Sequence, residues 1–285
     1  MRNFISEDDI EQVILEKLKA EPFKYDILIC DADPSKRDDL NDGTGRVSKK
    51  ECVLPDVMLS SLKRINPTIS EEKIKEIVKN LRQNYTGTDI VDTNYKLYRQ
   101  IRNNIKITVR RNGKEDFRFV KLIDFEHPEN NTFTAVSQMW IQGKINYRRP
   151  DILIFINGMP MVFIELKNSI VKIEEAYNKN LKDYLRDIPN LFAFNQICVL
   201  SNGLMTKLGA FNATYDYFFE WLKVDSEKEK LDREAIHSAE NIKDSSVRYF
   251  VDGLLNKDRL IDYIENFILF ENQRIKIIAK NHQYL

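Results

Sequence analysis

The chain has 285 residues, of which 42% are apolar and 31% are charged. This length and composition allow a substantial buried core and exclude an intrinsically disordered chain. Lysine plus arginine and aspartate plus glutamate both number 44, so the formal net charge is zero. A zero net charge excludes a global positive field, and any contact with nucleic acid must therefore come from a local basic patch.

The three cysteines indicate a reducing compartment. Cys30, Cys52 and Cys198 are odd in number and show no CxxC spacing, which argues against a zinc site. The N-terminus lacks the apolar region of a signal peptide, and no apolar run approaches the roughly 20 residues needed to span a bilayer. We therefore expect a cytoplasmic protein without a membrane partner.

The first half of the chain is predicted to begin with helices and then to change to strands. The SEDD segment at 6–9 has the pattern of a capping box, and apolar residues follow it at helical spacing. The elements predicted after this helix are a strand (25–30), a polar loop (31–50), helices (54–64, 70–83 and 94–104) and strands (105–110, 117–123 and 133–139).

The second half supplies the centre of a predicted α/β fold with a mixed sheet flanked by helices. Its predicted elements are two apolar strands (151–156 and 161–167), a helix (173–185), three strands (196–200, 206–211 and 217–224) and helical segments from 245 to the end. The almost purely charged run over 225–233 is typical of a linker. We therefore predict a main domain, 1–225, and a charged linker with a helical C-terminal extension, 226–285.

Two acids and a lysine are embedded in the two apolar strands. Asp151 begins the first strand, and Glu165 and Lys167 end the second. Burying an unpaired carboxylate costs on the order of several kcal/mol, so these charges must meet a metal ion, a partner or water. Residues two apart in a strand lie ~6.6 Å apart on the same face, so Glu165 and Lys167 share a side of the sheet.

Asp151 joins them only if the hairpin has the right register. A two-residue turn at Asn157 and Gly158 would pair Asp151 with Ile164 and place it on the face opposite Glu165. A three-residue loop, or a bulge at Gly158, would instead place Asp151 across from Glu165. We predict the second register, because the site needs both acids on one face.

In that register, Asp151, Glu165 and Lys167 form a candidate catalytic site for metal-dependent phosphodiester cleavage. The two carboxylates can hold Mg²⁺, which takes few protein ligands and keeps several waters. Lys167 would orient the attacking water and stabilise negative charge in the transition state. The alternative is a Glu165–Lys167 surface salt bridge with Asp151 as a strand-initial residue. The flanking apolar runs favour the catalytic interpretation, because a central strand rarely carries charges without a use.

Glu11 is predicted to be a further metal ligand. It lies three residues before Ile14 and seven before Leu18, at the edge of the apolar stripe of the first helix, from which its carboxylate could reach the metal. Glu7 lies one turn earlier on the same side. For both residues, the alternative is an acid that only stabilises the first helical turn.

A basic stretch between 94 and 121 is a candidate DNA contact. It holds nine basic residues against two acidic ones, an excess of seven, with aromatic residues between them. Phosphates suit such a patch, although an ordinary solvated face is the alternative. Arg148 and Arg149, directly before the catalytic strand, are predicted to bind the phosphates that flank the cut. The basic residues of the stretch are Lys96, Arg99, Arg102, Lys106, Arg110, Arg111, Lys114, Arg118 and Lys121.

The Asp151…Glu165-Leu-Lys167 pattern resembles the core of PD-(D/E)xK nucleases. Longer stretches at 146–151, 160–168, 187–192 and 199–203 resemble, in order, the N-terminal nuclease domain of the restriction (R) subunit of type I restriction–modification enzymes. The resemblance covers about residues 1–225. It implies a restriction-endonuclease-like fold, Mg²⁺-dependent cleavage of double-stranded DNA and a glutamate from the opening helix, for which Glu11 is the match.

The resemblance also implies partners. In that family, methyltransferase (M) and specificity (S) subunits supply modification and sequence recognition, and an ATP-dependent motor follows the nuclease domain. Residues 276–284 look like the segment leading into the motor, so we expect this chain to be part of a larger subunit. ATP is expected only for the motor, since no GxxxxGK[ST] loop occurs here. A stand-alone repair or phage-type nuclease and a non-catalytic DNA-binding or assembly module remain alternatives.

One element departs from the family pattern. The family carries QxxxY on the helix after the ExK strand, and the matching residues here are Asn180 and Tyr184. Asparagine keeps the amide but is shorter by one methylene. The resemblance implies DNA contact or support of the site for both residues.

Overall fold

The computed structural model describes residues 5–83, 85, 87–111, 114–239 and 242–285. The predicted basic stretch falls partly outside this description, because the side chains of Arg110, Arg111 and Lys114 are not included in it. Within the described ranges, no helix is both long and apolar enough to cross a membrane.

The helices lie mainly at the two ends of the chain. A π-helical segment, Ala176–Leu181, directly precedes one of them. The α-helices in the described ranges are α1 (Glu7–Lys19), α2 (Pro55–Ile65), α3 (Glu71–Leu81), α4 (Ile90–Asn103), α5 (Lys182–Asp187), α6 (Arg233–His237), α7 (Ser246–Leu254), α8 (Lys257–Asn266) and α9 (Asn281–Tyr284).

Seven strands form one mixed sheet, in the order β1-β4-β7-β8-β9-β10-β11. β1 is parallel to β4 and β8 is parallel to β9, whereas the other neighbours are antiparallel. The predicted mixed α/β architecture is therefore confirmed. The strands are β1 (Asp26–Ile29), β2 (Ile105–Arg111), β3 (Lys114–Val120), β4 (Phe133–Ser137), β5 (Ile141–Gln142), β6 (Tyr147–Arg148), β7 (Ile152–Ile156), β8 (Met159–Leu166), β9 (Ile197–Ser201), β10 (Thr206–Gly209), β11 (Phe219–Glu220), β12 (Ile268–Glu271) and β13 (Ile275–Ile278).

Helix α1 begins where the sequence predicts. The Ser6 side chain accepts from the backbone N–H of Asp9, and the Asp9 carboxylate accepts from the backbone N–H of Ser6, which completes a capping box. Ile10, Ile14 and Leu18 are buried on one side of the helix. This apolar stripe fixes α1 against the sheet and leaves the acids of its first turn near the end of β8.

The central strands are buried on both faces. Ile152 of β7 shares a hydrophobic cluster with Ile10 of α1, and the next residue, Leu153, shares another cluster with Tyr184 of α5. Successive side chains of a strand point to opposite faces, so the sheet is covered by helices on both sides. A charged side chain on β7 or β8 therefore enters the interior unless it lies at the end of a strand.

The predicted all-helical C-terminal extension is wrong in one part. α7 and α8 are helical, but β12 and β13 form an antiparallel hairpin. Its turn contains Asn272 and Gln273, both with positive φ (49° and 61°), and the N–H of Arg274 donates to the carbonyl of Glu271 at 3.0 Å. β12 begins with three successive apolar residues, Ile268 to Phe270, so the sequence shows no clear period of two, and these residues were assigned to a helix.

The C-terminal residues pack against the sheet and its helices. The hydroxyl of Tyr25 donates to the carbonyl of Leu255 (2.8 Å), and the ammonium of Lys17 contacts Asp252 (2.6 Å). Lys276 is buried, and its ammonium donates to the side chains of Asn94 (3.1 Å) and Gln196 (2.8 Å). These contacts join the two sides of residue 225, and the predicted domain division at that residue remains a prediction.

Candidate active site at the end of strands β7 and β8

The β7–β8 hairpin has the register that the site requires. Ile152 pairs with Ile164, and extending this pairing by one residue places Asp151 opposite Glu165. The predicted register is therefore confirmed. Asp151 and Glu165 lie at the same end of the hairpin and on the same face of the sheet.

The structural feature that sets this register differs from the prediction. Asn157 and Gly158 form a two-residue turn, with φ values of 49° and 78°. The extra residue is Met161, because the register shifts between the pairs Ile154–Val162 and Phe155–Pro160. A bulge in the middle of β8, not at Gly158, thus brings the two acids to one face.

Asp151 is held by the backbone of the opposite strand. Its Oδ2 accepts from the N–H of Leu166 at 2.7 Å. Burial raises the pKa of Asp151 to about 6, although this hydrogen bond and the charge of Lys167 act in the other direction. The hydrogen bond therefore fixes the carboxyl group in place, but the nearby positive charge does not offset the effect of burial on its pKa.

Glu165 is the most deeply buried acid of the site, with 2% of its surface exposed. Its Oε1 accepts from Lys167 (3.1 Å) and from the Asn180 amide, whereas its Oε2 has no hydrogen-bond partner among the described residues. Burial, followed by the charge of Asp151, raises the pKa of Glu165 to about 8, although Lys167 and the nearby hydroxyl of Tyr184 act in the other direction. An oxygen that is buried without a partner is costly, so Glu165 Oε2 is a candidate ligand for a missing cation.

Lys167 faces the two acids from the end of β8. Its Nζ donates to Glu165 Oε1 (3.1 Å) and to the carbonyl of Leu166 (2.6 Å), and it lies 3.9 Å from Glu7. Burial disfavours the charged ammonium, but the neighbouring charge of Glu165 outweighs it and holds the pKa of Lys167 above its usual value. Lys167 is therefore charged, and Asp151, Glu165 and Lys167 converge on one site.

Glu11 reaches the same region, but its carboxylate is occupied. Ser137 donates to its Oε1 at 2.8 Å, and the amide of Gln138 donates to its Oε2. Burial raises the pKa of Glu11. Among the described residues, no three His, Cys, Asp or Glu side chains come close enough to hold a metal ion together. Metal binding by Glu11 remains a prediction, and in this arrangement Ser137 and Gln138 hold both of its carboxylate oxygens.

Arg148 supports α5. Its Nε and Nη2 donate to Asp187 Oδ2 (2.7 and 2.5 Å), and Nη2 also contacts Asp183 (3.1 Å). Arg149 is less constrained: it donates to the carbonyl of Ala32 (2.6 Å) and lies 5.2 Å from the ring centroid of Trp140. Phosphate binding by both arginines remains a prediction, and this geometry favours Arg149.

Asn180 and Tyr184 both support the catalytic strand. Asn180 lies in the π-helical segment, where a regular helix was predicted, and its amide donates to Glu165. Tyr184 is buried, its hydroxyl donates to the carbonyl of Arg149 (2.9 Å), and its ring lies 5.1 Å from that of Phe163. Burial raises the pKa of Tyr184 well above its usual value. These contacts favour support of the site over direct DNA contact, which stays untested.

Three polar residues of the site were not identified from the sequence. Ser137 and Gln138 hold Glu11, and the side chain of Asn168 accepts from the backbone N–H of Glu7 at 3.1 Å, which docks α1 beside β8. A sequence signal existed for each. Ser137 and Gln138 interrupt the apolar pattern at the end of a strand, and Asn168 directly follows Lys167.

The predicted basic stretch is attached at the other end of the sheet. β3 leads into the start of β4, where Phe133 pairs with Ile156 beside the β7–β8 turn. The end of β4 near the catalytic site is marked by the pair Ser137–Ile152. DNA contact through the stretch remains a prediction. The ion pairs that partly neutralise its described members include Lys96–Asp92, Arg118–Asp116, Lys121–Asp124 and Lys121–Glu126.

Residues 4–217 match the model of the family described as type I restriction enzyme R protein N terminus. The chain is 31% identical over 291 residues to the HindI type I restriction enzyme endonuclease subunit of Haemophilus influenzae, covering 98% of this chain and 26% of that protein. It is 32% identical over 257 residues to the putative MjaIXP endonuclease subunit of Methanocaldococcus jannaschii, covering 84% and 24%. The chain therefore spans about a quarter of the length of these curated relatives.

Proposed function

Because this chain belongs to the family of type I restriction enzyme R protein N termini, we propose that it is a Mg²⁺-dependent endonuclease domain of the PD-(D/E)xK type. Its substrate would be double-stranded DNA, and its reaction the hydrolysis of phosphodiester bonds. The observation that carries the proposal is the convergence of Asp151, Glu165 and Lys167 at the end of the β7–β8 hairpin.

The residues of the site fit a divalent cation. Glu165 Oε2 is buried without a hydrogen-bond partner in the described residues, and burial raises the pKa values of both Asp151 and Glu165. Two carboxyl groups with a single ammonium nearby leave negative charge uncompensated. Asp151 and Glu165 would hold Mg²⁺, which accepts one or two carboxylates and keeps several waters. When bound, Mg²⁺ supplies positive charge that polarises the scissile phosphate and offsets charge on the leaving oxygen.

The side chains and backbone groups around the two acids would each have a defined role in the reaction. Lys167 Nζ would orient the attacking water and stabilise the negative charge that develops on the phosphate. The backbone N–H of Leu166 holds Asp151, and the amide of Asn180 holds Glu165 Oε1. Because these donors fix the carboxylates in advance, little reorganisation is needed during the reaction.

The partners and location are part of the same proposal. The two relatives described above are named endonuclease subunits, and both continue well beyond the matched region. We infer that the chain works in the cytoplasm within a larger R subunit that carries an ATP-dependent motor and assembles with M and S subunits. Co-purification of the complete subunit with a methyltransferase–specificity complex tests this assembly, and a stand-alone nuclease would purify without one.

Plasmid cleavage in Mg²⁺ tests the catalytic assignment. The complete subunit, assembled with its partners, should cut supercoiled DNA, and the Lys167→Ala variant should not. The matched control is Lys172→Ala, which removes an exposed lysine five residues further along the chain. Cleavage by the Lys167→Ala variant at the parent rate would exclude the proposed site.

A further inference from the structure

Gln138 follows β4 directly and has an unusual backbone conformation. Its φ is 58°, in the left-handed region that residues other than glycine rarely adopt. Such a residue persists only when its surroundings impose it, and such residues cluster at functional sites. Asparagine and glycine adopt this conformation with less strain, so the conformation alone does not explain a glutamine at this position.

The hydrogen bonds of Gln138 connect two acids of the site. Its backbone N–H donates to the carbonyl of Asp151 at 3.0 Å, and its side-chain amide donates to Glu11 Oε2. The neighbouring Ser137 hydroxyl donates to Glu11 Oε1 at 2.8 Å. Glu11 is thus held by two adjacent side chains at the end of β4, and the backbone N–H of one of these residues, Gln138, donates to the carbonyl of Asp151.

The carboxamide oxygen of Gln138 argues against a purely stabilising role. Oε1 is buried and finds no hydrogen-bond partner in the part of the chain that is described. A buried polar atom without a partner destabilises the folded state, as does the left-handed backbone. A side chain selected for stability alone would avoid both. The remaining role of the glutamine is its contact with Glu11.

We propose that Gln138 is a positioning residue that orients Glu11 towards the waters of the cation held by Asp151 and Glu165. The inference rests on the proposed function and adds a residue to it. Because Ser137 and Gln138 already donate to both carboxylate oxygens of Glu11, Glu11 would act through the waters of a bound cation and would not be a direct ligand. Glu11 would be an outer partner of the site, and the removal of such partners usually changes metal affinity by about 10- to 100-fold.

Calorimetric titration with Mn²⁺, without DNA, tests the inference separately from cleavage. The Gln138→Gly variant removes the amide and relieves the backbone, so it should bind Mn²⁺ at least about tenfold more weakly than the parent. Its unfolding temperature in a chelator should not fall by more than about 2 °C, which shows that the fold is intact. The matched control is Gln273→Gly, because Gln273 also has a positive φ (61°) but lies in the β12–β13 turn.

The change in Mn²⁺ affinity decides whether Gln138 is a positioning residue. If Gln138→Gly weakens binding by less than about fivefold, the positioning role is wrong, whatever the unfolding temperature. If binding falls tenfold and Gln273→Gly binds like the parent, the role is supported. A double variant, Gln138→Gly with Glu11→Gln, should lose no more affinity than Glu11→Gln alone, since Gln138 acts through Glu11.

A further variant separates this inference from the proposed function. Asp151→Asn removes a proposed ligand and should abolish Mn²⁺ binding. If Asp151→Asn binds Mn²⁺ like the parent, or if the parent does not bind Mn²⁺, the metal site itself is wrong, and the role of Gln138 falls with it. If Asp151→Asn loses binding and Gln138→Gly keeps it, only the role of Gln138 is wrong.

Discussion

Two buried groups of charged residues in this protein are arranged in opposite ways. The first, which we call the loop cluster, consists of Asp42, Arg46 and Lys49 in the loop before α2. Asp42 Oδ2 contacts Arg46 (2.8 Å) and Lys49 (2.6 Å), so one acid meets two cations. Burial acts to raise the pKa of Asp42, but the hydrogen bonds from Lys49 and Thr44 outweigh it and lower the pKa to about 2.

At the catalytic end of β7 and β8, two acids meet one cation, which is the reverse of the loop cluster. Asp151 and Glu165 share one lysine, Glu165 Oε2 has no partner among the described residues, and the pKa values of both acids are raised. The balance of acids and cations therefore distinguishes a structural ion cluster from a binding site. Compensated charges stabilise the fold, whereas buried charge of one sign without a partner indicates a ligand.

The largest expected effect is on cleavage. Glu165→Gln keeps the shape of the side chain but removes its charge, so DNA cleavage in Mg²⁺ should fall by about 100- to 1,000-fold. The same variant should be as stable as the parent or up to about 2 kcal/mol more stable at pH 9 in a chelator, because the buried charge is removed. Urea unfolding measures the second quantity. A clear loss of stability would mean that Glu165 is a structural acid like Asp42.

The matched change in the loop cluster should have the opposite effect on stability. Asp42→Asn leaves Arg46 and Lys49 buried without their acid, and both side chains are almost fully buried. Removing one partner of a buried ion pair destabilises a protein by about 3–5 kcal/mol. Urea unfolding should therefore show a lower free energy of unfolding. If Asp42→Asn is neutral, the contrast between the two clusters fails.

The pH dependence of stability should separate the clusters as well. Burial raises the pKa values of Asp151 and Glu165 in the metal-free fold to about 6 and about 8, above their usual 3.8 and 4.5. An acid with a raised folded pKa contributes stability below its unfolded pKa, and this contribution is lost as the pH rises through the folded value. The free energy of unfolding of the metal-free protein should therefore fall as the pH rises from about 4 to about 8.

Asp42 should act in the other pH window. Its folded pKa of about 2 lies below the usual 3.8, so its contribution is present above pH 3.8 and is lost as the pH falls towards 2. Unfolding curves of the parent and of Asp42→Asn, measured from pH 2 to pH 6, should converge at the acid end. Parallel curves across this range would contradict the assignment of Asp42 as the acid of a compensated cluster.

The smallest expected effect is on the salt dependence of DNA binding. Arg149→Ala should reduce the salt dependence of DNA binding by about one phosphate contact, a change in slope of about 0.9. Arg148→Ala should leave the slope unchanged, because Arg148 is bound to Asp183 and Asp187. Fluorescence anisotropy over a range of salt concentrations measures both slopes. A reduced slope for Arg148→Ala alone would reverse the roles of the two arginines.

The sequence predicted those parts of the fold that depend on local patterns. The capping box of α1, the main-sheet strands and the opposition of Asp151 to Glu165 are all confirmed. The register was predicted from the chemistry that it permits, since both acids are needed on one face. The bulge at Met161 was not predicted, because no local signal distinguishes this residue from its apolar neighbours.

The parts that were missed depend on contacts between distant residues. Glu11 meets Ser137 across 126 positions of the chain, so the pairing that occupies its carboxylate could not be read from spacing. The β12–β13 hairpin was missed because each strand has only four residues, without a clear alternation of apolar and polar residues, and both follow two helices. The π-helical segment around Asn180 also depends on tertiary packing, and propensity does not identify it.

A crystal of the protein soaked in Mn²⁺ tests the central claim most directly. If Asp151 and Glu165 hold a cation, one strong anomalous peak should lie within coordination distance, about 2.1 Å, of a carboxylate oxygen of Asp151 and of Glu165 Oε2. A peak bound elsewhere, with Glu165 Oε2 still without a partner, would contradict the claim that this unbalanced pair of acids is a cation site.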